Sequence, residues 1–491
     1  AFGRGVGVRA RVGARVGARV RARARAFGAL AAEDAKELQR LVPRSVTDSE
    51  SLINFNRDWT GQFEGNSPLV LQPRSVAEVQ EALAYCTNRR IAVVPQGGNT
   101  GLVGGGIAYS GEVVLSLSRM DAILDIDADS GVVTCEAGVV LERLAEALAP
   151  HGLVPPIDLG AKGSCQLGGI ASTNAGGLRF CRFGSLLGNV TGLEVVRADG
   201  EVLDLMNVCR KDNTGYPLRQ LFLGAEGTLG VITKVALAAA PKPESVQVAF
   251  LACASLDAVL GALRLAKRRV GEILSAFELV DAVALQSVAA LPQVDADRLG
   301  LSLRQPYYVL LETYGSDAGR DQAALGAFLE EALAAESVED GVLAQDETQA
   351  SELWRLRELC PTAAAASGYV YKYDLSLPLR SWEAFTEECR GRMEPYPDAR
   401  VHVWGHAVDG NIHLNIVTPE AREDVRTALE PWVYDYVAKR GGSISAEHGI
   451  GVLKLGAFQN TKAAAAQETM SAVKKLLDPN AILNPGKILR G

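Results

Sequence analysis

The sequence predicts an α+β fold with two main parts, and three observations support this prediction. From about residue 68 to residue 240, short β-branched runs alternate with turns and helical patterns. Three of the turns in that stretch are rich in glycine. Beyond a change of pattern near residue 242, strand candidates separated by helices predict a sheet covered on one face, as in a ferredoxin-like cap.

The first part repeats a strand-and-helix order. Residues 75–90, SVAEVQEALAYCTNRR, have helical spacing behind a Ser cap, and residues 91–95, IAVVP, have the composition of a strand that follows the helix. Residues 131–152 give a strand pattern and then a helical pattern. This order is typical of a nucleotide-binding domain.

The second part begins near residue 242, after a segment with two prolines. Its strand candidates are residues 246–255, 272–281, 306–315 and 370–379. Near residue 420 the pattern becomes helical again. The predicted domain limits are therefore a leader over residues 1–28, a first domain over 29–242, a second domain over 243–424 and a C-terminal segment over 425–491.

The first 28 residues carry eight Arg and no acidic residue, which predicts a mitochondrial or plastid transit segment. The alternative is a basic tail that is disordered or that contacts nucleic acid. The rest of the chain has 42 basic and 58 acidic residues, a formal charge of −16. That charge disfavours nucleic acid as a partner. The sequence contains no run of about 18 apolar residues, so it predicts no membrane span.

The chain has eight cysteines, and no two are spaced as a CxxC pair. The spacing therefore argues against an iron–sulfur cluster and against a cysteine-based zinc site. Buried free thiols are the expectation for a chain of this size.

The glycine-rich turns occupy residues 93–106, 158–180 and 224–233. Glycine lets the backbone approach a bulky anion closely and turn several N–H groups toward it. None of the three segments places G-x-G-x-x-G between a strand and a helix, so a Rossmann unit is not predicted. Three such turns in one domain favour a large ligand that contains phosphate.

Six segments resemble the FAD-linked 2-hydroxyacid dehydrogenases of the vanillyl-alcohol-oxidase flavoprotein fold, and the likeness covers nearly everything after residue 45. The segments are PQGGNTGLVGG, DLGAKGSCQLGG with TNAGGLRFCRFGS, RKDNTGYPLRQLFLGAEGTLGVIT, YVYKYDLSLP, GHAVDGNIHLN and SAEHGIG. The resemblance implies a two-part FAD-binding domain, a cap domain and a C-terminal segment that returns to the flavin. No histidine lies in residues 93–106, where some relatives attach FAD covalently, so the expected binding is non-covalent.

The resemblance also implies which residues contact FAD. Those in the first two turns are expected at the pyrophosphate, two in the third at the ribityl and adenine end, and one near the C-terminus at the flavin. They are Gly97, Gly98, Asn99, Thr100, Gly101, Gly163, Ser164, Gly168, Gly169, Asn174, Gly230, Ile232 and Asn484.

Residues 405–415, GHAVDGNIHLN, place two histidines on either side of an Asp-Gly pair. A two-residue turn at Asp409 and Gly410 would set His406 directly opposite His413, close enough for both imidazoles to reach one metal ion. The alternative is a pair of histidines hydrogen-bonded within the core. His406, His413 and Glu447 would form a His₂Glu set that leaves open positions on zinc or another divalent ion, and the resemblance assigns the same three residues.

Three further residues are candidates for binding the substrate, and one for catalysis. The resemblance implies Arg357, strand alternation over residues 368–378 gives Lys372, and Asn415 shares the predicted face of His413. His448 is the candidate general base, or alternatively another metal ligand. The resemblance implies a threonine that contacts the substrate at one further position, but this chain has Pro361 there.

The resemblance, together with these residues, thus implies a mitochondrial-matrix enzyme that uses FAD and a divalent metal to oxidise D-2-hydroxyglutarate to 2-oxoglutarate, and the resemblance alone implies electron-transfer flavoprotein as the electron acceptor. Two cations beside a metal favour a dicarboxylate over D-lactate. A D-lactate dehydrogenase, a lipid synthase of the same fold and a metal-dependent hydrolase are the alternatives. A homodimer is left open.

Overall fold

The structure is a computed structural model that describes residues 29–295 and 303–489. The predicted transit segment, residues 1–28, lies outside the described residues. The described chain divides into two compact units. Unit 1 comprises residues 29–177, 185–242 and 447–489, and unit 2 comprises residues 178–184, 243–295 and 303–446.

Unit 1 contains two main sheets and a small two-stranded one. The first sheet has the order β1-β2-β4-β3, with parallel pairing of β4 to both β2 and β3. The second is antiparallel, with the order β5-β6-β10-β8-β9. The strands are β1 Ser45–Val46, β2 Val70–Leu71, β3 Val93–Gln96, β4 Val113–Ser116, β5 Ile123–Asp127, β6 Val132–Glu136, β7 Leu153–Val154, β8 Val190–Val196, β9 Val202–Leu205, β10 Val231–Ala238 and β11 Ala240–Pro241.

The helices of unit 1 follow the predicted patterns where capping and amphipathic spacing coincide. In the helix over Val76–Arg89, the Ser75 hydroxyl accepts the Glu78 N–H at 3.3 Å, which confirms the predicted cap. The helices are α1 Ala32–Leu41, α2 Ser49–Asn56, α3 Val76–Arg89, α4 Leu141–Leu148, α5 Leu167–Thr173, α7 Leu186–Asn189, α16 Leu455–Thr461 and α17 Ala464–Leu477.

Unit 2 contains a seven-stranded antiparallel sheet with the order β15-β12-β14-β13-β17-β18-β16. Most residues of its strands are buried, and buried polar side chains lie among the apolar ones. The strands are β12 Ser245–Cys253, β13 Leu274–Asp281, β14 Tyr307–Gly315, β15 Asp340–Leu343, β16 Tyr369–Ser376, β17 Arg400–His406 and β18 Asn411–Thr418.

Helices of unit 2 pack on this sheet. A core of Phe250, Leu310 and Trp404 from the strands meets Leu353 and Leu356 from one helix. That helix therefore lies over the face that carries these side chains. The helices are α6 Phe180–Phe183, α8 Leu256–Arg269, α9 Ala282–Ala289, α10 Ala318–Ala334, α11 Glu347–Glu358, α12 Cys360–Ser367, α13 Trp382–Met393, α14 Glu423–Leu429 and α15 Trp432–Lys439.

The predicted C-terminal segment starts at residue 425, whereas the C-terminal part of unit 1 starts at Glu447. Residues 425–446 belong to unit 2, because aromatic side chains of α15 pack on elements of that unit. The Tyr434 ring lies 5.8 Å from the Tyr373 ring of β16, and the Tyr436 ring lies 5.0 Å from the Phe385 ring of α13. A helical pattern alone does not reveal which unit a helix packs against.

All eight cysteines are free, as expected. Six are buried, but Cys181 is partly exposed and Cys209 is exposed, so the expectation of burial was wrong for Cys209. Among the described residues, no helix has both the length and the apolar character that crossing a membrane requires.

Candidate functional site

The turn between β17 and β18 is longer than the sequence predicted. His406 pairs with Asn411, and His413 pairs with Trp404, so residues 407–410 form a four-residue turn. The prediction that His406 lies directly opposite His413 was therefore wrong. The register differs from the predicted one by two residues, and because side chains alternate with period two, both histidines still lie on one face.

The two imidazoles converge although they are diagonal neighbours. Their ring centroids lie 5.3 Å apart, and the two Nε2 atoms lie 3.4 Å apart. Two nitrogens bound to one tetrahedral zinc at about 2.0–2.1 Å lie about 3.3–3.4 Å apart. The spacing of the two Nε2 atoms therefore fits a shared metal ion.

Each of these imidazoles turns its other nitrogen toward a buried carboxylate. His406 Nδ1 lies 2.7 Å from Glu278 Oε1, and His413 Nδ1 lies 3.7 Å from Asp374 Oδ1. A histidine that binds a metal through one nitrogen typically donates its other N–H to a carboxylate. This donor set fits a divalent cation held between the two Nε2 atoms.

Glu278 is ionised in this setting. Burial acts to raise the pKa of Glu278, but His406, Arg357 and His413 together outweigh burial and hold that pKa below its usual value. An ionised carboxylate only accepts hydrogen bonds, so the proton of their hydrogen bond belongs to His406 Nδ1. In the neutral ring, Nε2 then carries a lone pair that points toward His413.

Arg357 of α11 reaches the same carboxylate. Its Nη2 lies 2.9 Å from Glu278 Oε2, and its side chain is only 7% exposed. The Arg357 Nε is buried and has no hydrogen-bond partner among the residues that the structure describes. A buried donor in that condition is costly unless a ligand accepts its hydrogen bond.

Strand β16 brings Lys372 and Asp374 onto the face of the histidines. Lys372 pairs with Asn415, and Asp374 pairs with His413. The Asn415 Oδ1 is buried and lacks a partner within the described part of the chain. We call the set on this face the polar row; it comprises Glu278, Lys372, Asp374, His406, His413 and Asn415.

The cations predicted from the sequence are matched by acids that the prediction did not use. Arg357 and Lys372 carry two positive charges, whereas Glu278 and Asp374 carry two negative charges on the same face. Within unit 2 these four charges cancel. A bound divalent cation would therefore supply positive charge for an anionic substrate.

Glu447 and His448 lie in unit 1, in a loop that hydrogen bonds hold in place. Glu447 Oε2 accepts the Gly177 N–H at 2.8 Å, and Glu447 Oε1 lies 3.7 Å from His448 Nε2. Glu226 accepts the N–H groups of Ile450 and Gly451 at 2.7 and 2.8 Å. Burial raises the pKa of Glu226, although both of these N–H groups oppose that shift.

The first two glycine-rich turns also lie in unit 1 and pack against each other. A Cβ atom on Gly98 would collide with the backbone carbonyl of Ser164, so glycine is required there. Asn99, at φ 53°, donates from Nδ2 to the Arg57 carbonyl at 2.8 Å. A Cβ atom on Gly101 would meet nothing within 4 Å, so this glycine borders open space.

The residues of the second turn that are predicted to contact FAD lie in helix α5 or just beside it. Gly168 and Gly169 belong to α5, and Asn174 ends that helix at φ 47°. A Cβ atom on Gly169 would also meet open space, whereas one on Gly168 would press on Ala137. Gly163 and Ser164 precede the helix. These residues fit a bulky ligand that lies along the exposed glycine backbone.

Asn484 is fixed near the third turn. Its Nδ2 donates to the carbonyls of Gly105 and Glu226 at 3.0 and 2.7 Å. Its Oδ1 is buried without a partner among the described residues, and the same holds for Gln166 Oε1. A ligand that brings hydrogen-bond donors, as FAD does, would satisfy both oxygens.

Gly230 and Ile232 have packing roles that the sequence did not predict. A Cβ atom on Gly230 would press against Val195 of β8, and Ile232 pairs with Val195 and is 5% exposed. Their contact with FAD stays a prediction.

Sequence reasoning missed Glu278, Asp374 and Glu226 as parts of these sites. The signal for Glu278 was present, because it is an acid inside the apolar run SAFELVD. A charged residue in a buried strand requires a partner, and that requirement points to a site. Glu226 gave no such signal, because it lies in a polar turn.

Comparison with known proteins agrees with this architecture. The protein family described as FAD binding domain matches residues 67–206, and the family described as the C-terminal domain of FAD linked oxidases matches residues 242–488. The chain is similar in fold to alkyldihydroxyacetonephosphate synthase, with 16% identity, a TM-score of 0.74 and coverage of 94% of this chain and 85% of the other. It is also similar to p-cresol methylhydroxylase, with 15% identity, a TM-score of 0.73 and coverage of 92% and 96%.

The chain therefore belongs to the FAD-linked oxidase family, with the vanillyl-alcohol-oxidase type of fold, and it is an FAD-dependent oxidoreductase. Among its relatives, the mitochondrial D-2-hydroxyglutarate dehydrogenase of Bos taurus is 46% identical over 469 residues, which cover 94% of this chain and 84% of that protein. The Arabidopsis thaliana protein of the same name is 46% identical over 465 residues, with coverage of 94% and 82%. A D-2-hydroxyglutarate–pyruvate transhydrogenase of Saccharomyces cerevisiae is 41% identical over 448 residues, with coverage of 90% of each chain.

Proposed function

We propose that this protein oxidises D-2-hydroxyglutarate to 2-oxoglutarate, with FAD and a divalent metal as cofactors. The names of its relatives support the substrate. The observation that carries the metal and the acid substrate is the polar row, where His406 and His413 converge beside Lys372 and the Arg357–Glu278 pair.

The reaction takes a proton from the substrate hydroxyl and a hydride from the carbon that bears it. When bound, FAD supplies the hydride acceptor at its N5 atom, and a divalent cation supplies a Lewis acid for the hydroxy-acid end of the substrate. The chain's own residues hold both cofactors, orient the substrate and accept the proton.

His406 and His413 hold the metal through Nε2, because their Nδ1 atoms face Glu278 and Asp374. Glu447 is the third ligand by resemblance. Zinc suits a His₂Glu set that leaves positions open for substrate.

Arg357 and Lys372 bind the substrate carboxylates. Support for Arg357 comes from its buried Nε, which has no partner among the described residues. Lys372 lies across from Asn415 on the polar row, and Asn415 Oδ1 is suited to accept a hydrogen bond from the substrate.

His448 accepts the hydroxyl proton as general base. A histidine side chain, whose unperturbed pKa is about 6.5, suits proton transfer at neutral pH. Its neighbour Glu447 lies 3.7 Å away, and Glu226 holds the backbone immediately after it.

The electrons leave to electron-transfer flavoprotein in the mitochondrial matrix. The relatives named above support the mitochondrion. The name of the yeast relative includes pyruvate, so pyruvate is a second electron acceptor to test.

A substrate panel tests the proposal. The purified enzyme is assayed with an artificial dye acceptor on D-2-hydroxyglutarate, L-2-hydroxyglutarate and D-lactate, with and without added zinc. We expect the highest kcat/KM for D-2-hydroxyglutarate in the presence of metal. A higher kcat/KM for D-lactate would replace the proposed substrate with a monocarboxylate.

A further inference from the structure

Glu278 lies at one end of the polar row, on strand β13. It is 1% exposed and pairs across the sheet with His406 of β17. Its neighbours along the strand, Phe277 and Leu279, are buried and apolar. A carboxylate in such a place is costly unless charged partners hold it.

Each oxygen of Glu278 faces a different side chain, although Oε2 accepts no hydrogen bond from any of the described residues. Oε1 accepts from His406 Nδ1 at 2.7 Å, and Oε2 lies 2.9 Å from Arg357 Nη2. The residue thus joins a candidate metal ligand to a candidate substrate-binding arginine. The two contacts leave His406 Nε2 directed at His413 and leave Arg357 Nε buried without a partner in the described chain.

We propose that Glu278 is a positioning residue that orients the His406 ring, with Nε2 toward His413, and the Arg357 guanidinium, so that one buried carboxylate couples the metal site to the binding of the substrate carboxylate. This inference rests on the proposed function. Glu278 contacts neither reacting atoms nor metal and acts through its two partners.

If the role of Glu278 were only structural, replacing it should have the same effect as replacing another buried carboxylate of the same sheet. Glu312 of β14 provides that comparison, because it is 2% exposed and lies 3.3 Å from Arg179 Nε. It also accepts from the Ser275 hydroxyl at 2.7 Å and from Trp354 Nε1 at 2.8 Å. These three partners of Glu312, Arg179, Ser275 and Trp354, are not histidines.

The experiment compares Glu278→Gln with Glu312→Gln in the FAD-loaded enzyme. Zinc affinity is measured by competition with a chromophoric chelator, and KM is measured for D-2-hydroxyglutarate at saturating zinc. We expect Glu278→Gln to bind zinc about 10- to 100-fold more weakly, as happens when the carboxylate partner of a liganding histidine is lost. We also expect its KM to rise about tenfold or more, because Arg357 loses its charged partner.

Glu312→Gln should keep the zinc affinity and the KM of the parent. Parent-like zinc affinity in Glu278→Gln would overturn the inference and leave the proposed function intact. An equal loss in Glu312→Gln, or a loss of zinc affinity without a rise in KM, would overturn it as well. A parent enzyme that binds no divalent ion would overturn both the inference and the metal dependence of the proposed function.

If Glu278→Gln does not fold with FAD, Glu278→Asp replaces it. Aspartate keeps the charge but is one methylene shorter, so it cannot reach both His406 and Arg357 from the same backbone position. We expect weaker zinc binding again, and parent-like zinc affinity in this variant would overturn the inference.

Discussion

At the scale of single residues, the chemistry of unit 2 depends on which nitrogen of each histidine carries the proton. Glu278 orients His406, and Asp374 lies beside His413. His402 on the same face is different: its Nε2 is 2.9 Å from the Ser287 hydroxyl, and burial lowers its pKa to about 4. The geometry of two of the three histidines of this hairpin thus fits the proposed metal ion, whereas the third is a core residue whose lowered pKa favours the neutral ring.

His413→Ala should lose the metal and keep FAD. Removing one of two converging imidazoles leaves too few ligands for tight binding, whereas the residues predicted to bind FAD lie in unit 1. Metal content by mass spectrometry and the flavin absorbance of the purified variant check this outcome.

His402→Gln is the matched control, because it also replaces a buried histidine of the hairpin. It should retain the metal content of the parent. Full metal content in His413→Ala would show that the convergence of the imidazoles has no role in metal binding.

Substitution of Arg357 or Lys372 by Met tests the choice of substrate. A charge-assisted hydrogen bond to a carboxylate is worth about 1.5–3 kcal/mol, so losing the cation that holds the distal carboxylate should lower kcat/KM for D-2-hydroxyglutarate about 10- to 150-fold. D-Lactate lacks that carboxylate and should be affected much less. Steady-state kinetics of both variants on both acids measure the difference.

Equal losses on the two acids in both variants would mean that these cations bind the hydroxy-acid end that the substrates share. The case for a dicarboxylate from these residues would then fail.

The sequence predicted which residues share a face of this site better than it predicted which of them are in contact. The sequence was sufficient to put His406, His413 and Asn415 on one face of the hairpin, because alternation along a strand depends only on local backbone geometry. It did not reveal that Glu278 faces His406, because that contact depends on which strands are neighbours in the sheet.

At the scale of elements, the β17–β18 hairpin shows why face and register differ in how well they can be predicted. Asp409 and Gly410 suggested a two-residue turn, but Leu377 N–H donates to the Gly410 carbonyl at 3.0 Å and ties the turn to the chain after β16. The resulting four-residue turn shifts the register by two. An even shift preserves the face, so His406 and His413 lie on one face despite the error in pairing.

Gly410→Ala should destabilise unit 2 through this turn. Gly410 has φ +83°, and a Cβ atom there would lie 2.8 Å from the Leu377 carbonyl oxygen. Left-handed backbone costs a non-glycine residue about 1–2 kcal/mol, and crowding adds about 1–3 kcal/mol. Thermal unfolding of the variant and the parent measures the sum.

Gly441→Ala isolates the backbone cost, because Gly441 has φ +69° and a Cβ atom there would meet nothing within 4 Å. The Gly410 variant should therefore unfold at a lower temperature than the Gly441 variant. Identical unfolding temperatures would contradict the crowding at Leu377.

At the scale of the whole molecule, the chain divides its chemistry between two units that are interleaved in sequence. Unit 1 holds the glycine-rich turns, Asn484 and the loop with Glu447 and His448, whereas unit 2 holds the polar row. The boundary at residue 242 was visible in the sequence because prolines and a change of pattern mark it. The start of the C-terminal part at Glu447 was not, since it depends on which unit α14 and α15 pack against.

The flavin should be bound without a covalent link. No histidine lies in residues 93–106, and the buried oxygens of Asn484 and Gln166 fit hydrogen bonding to FAD. The purified protein should be yellow, and acid or heat denaturation should release intact FAD into the supernatant. Flavin that precipitates with the denatured chain would contradict non-covalent binding.

The most direct test of the account is flavin reduction by substrate in the absence of any electron acceptor. D-2-Hydroxyglutarate is added anaerobically to three samples of FAD-loaded enzyme: metal-loaded, chelator-treated, and chelator-treated with zinc restored. Loss of the yellow absorbance is followed in a stopped-flow instrument. We expect rapid bleaching of the metal-loaded enzyme, almost none after chelation although FAD stays bound, and recovery with zinc, because the proposed metal ion activates the substrate hydroxyl. Equal bleaching rates in all three samples would contradict a metal-assisted oxidation at the His406–His413 pair.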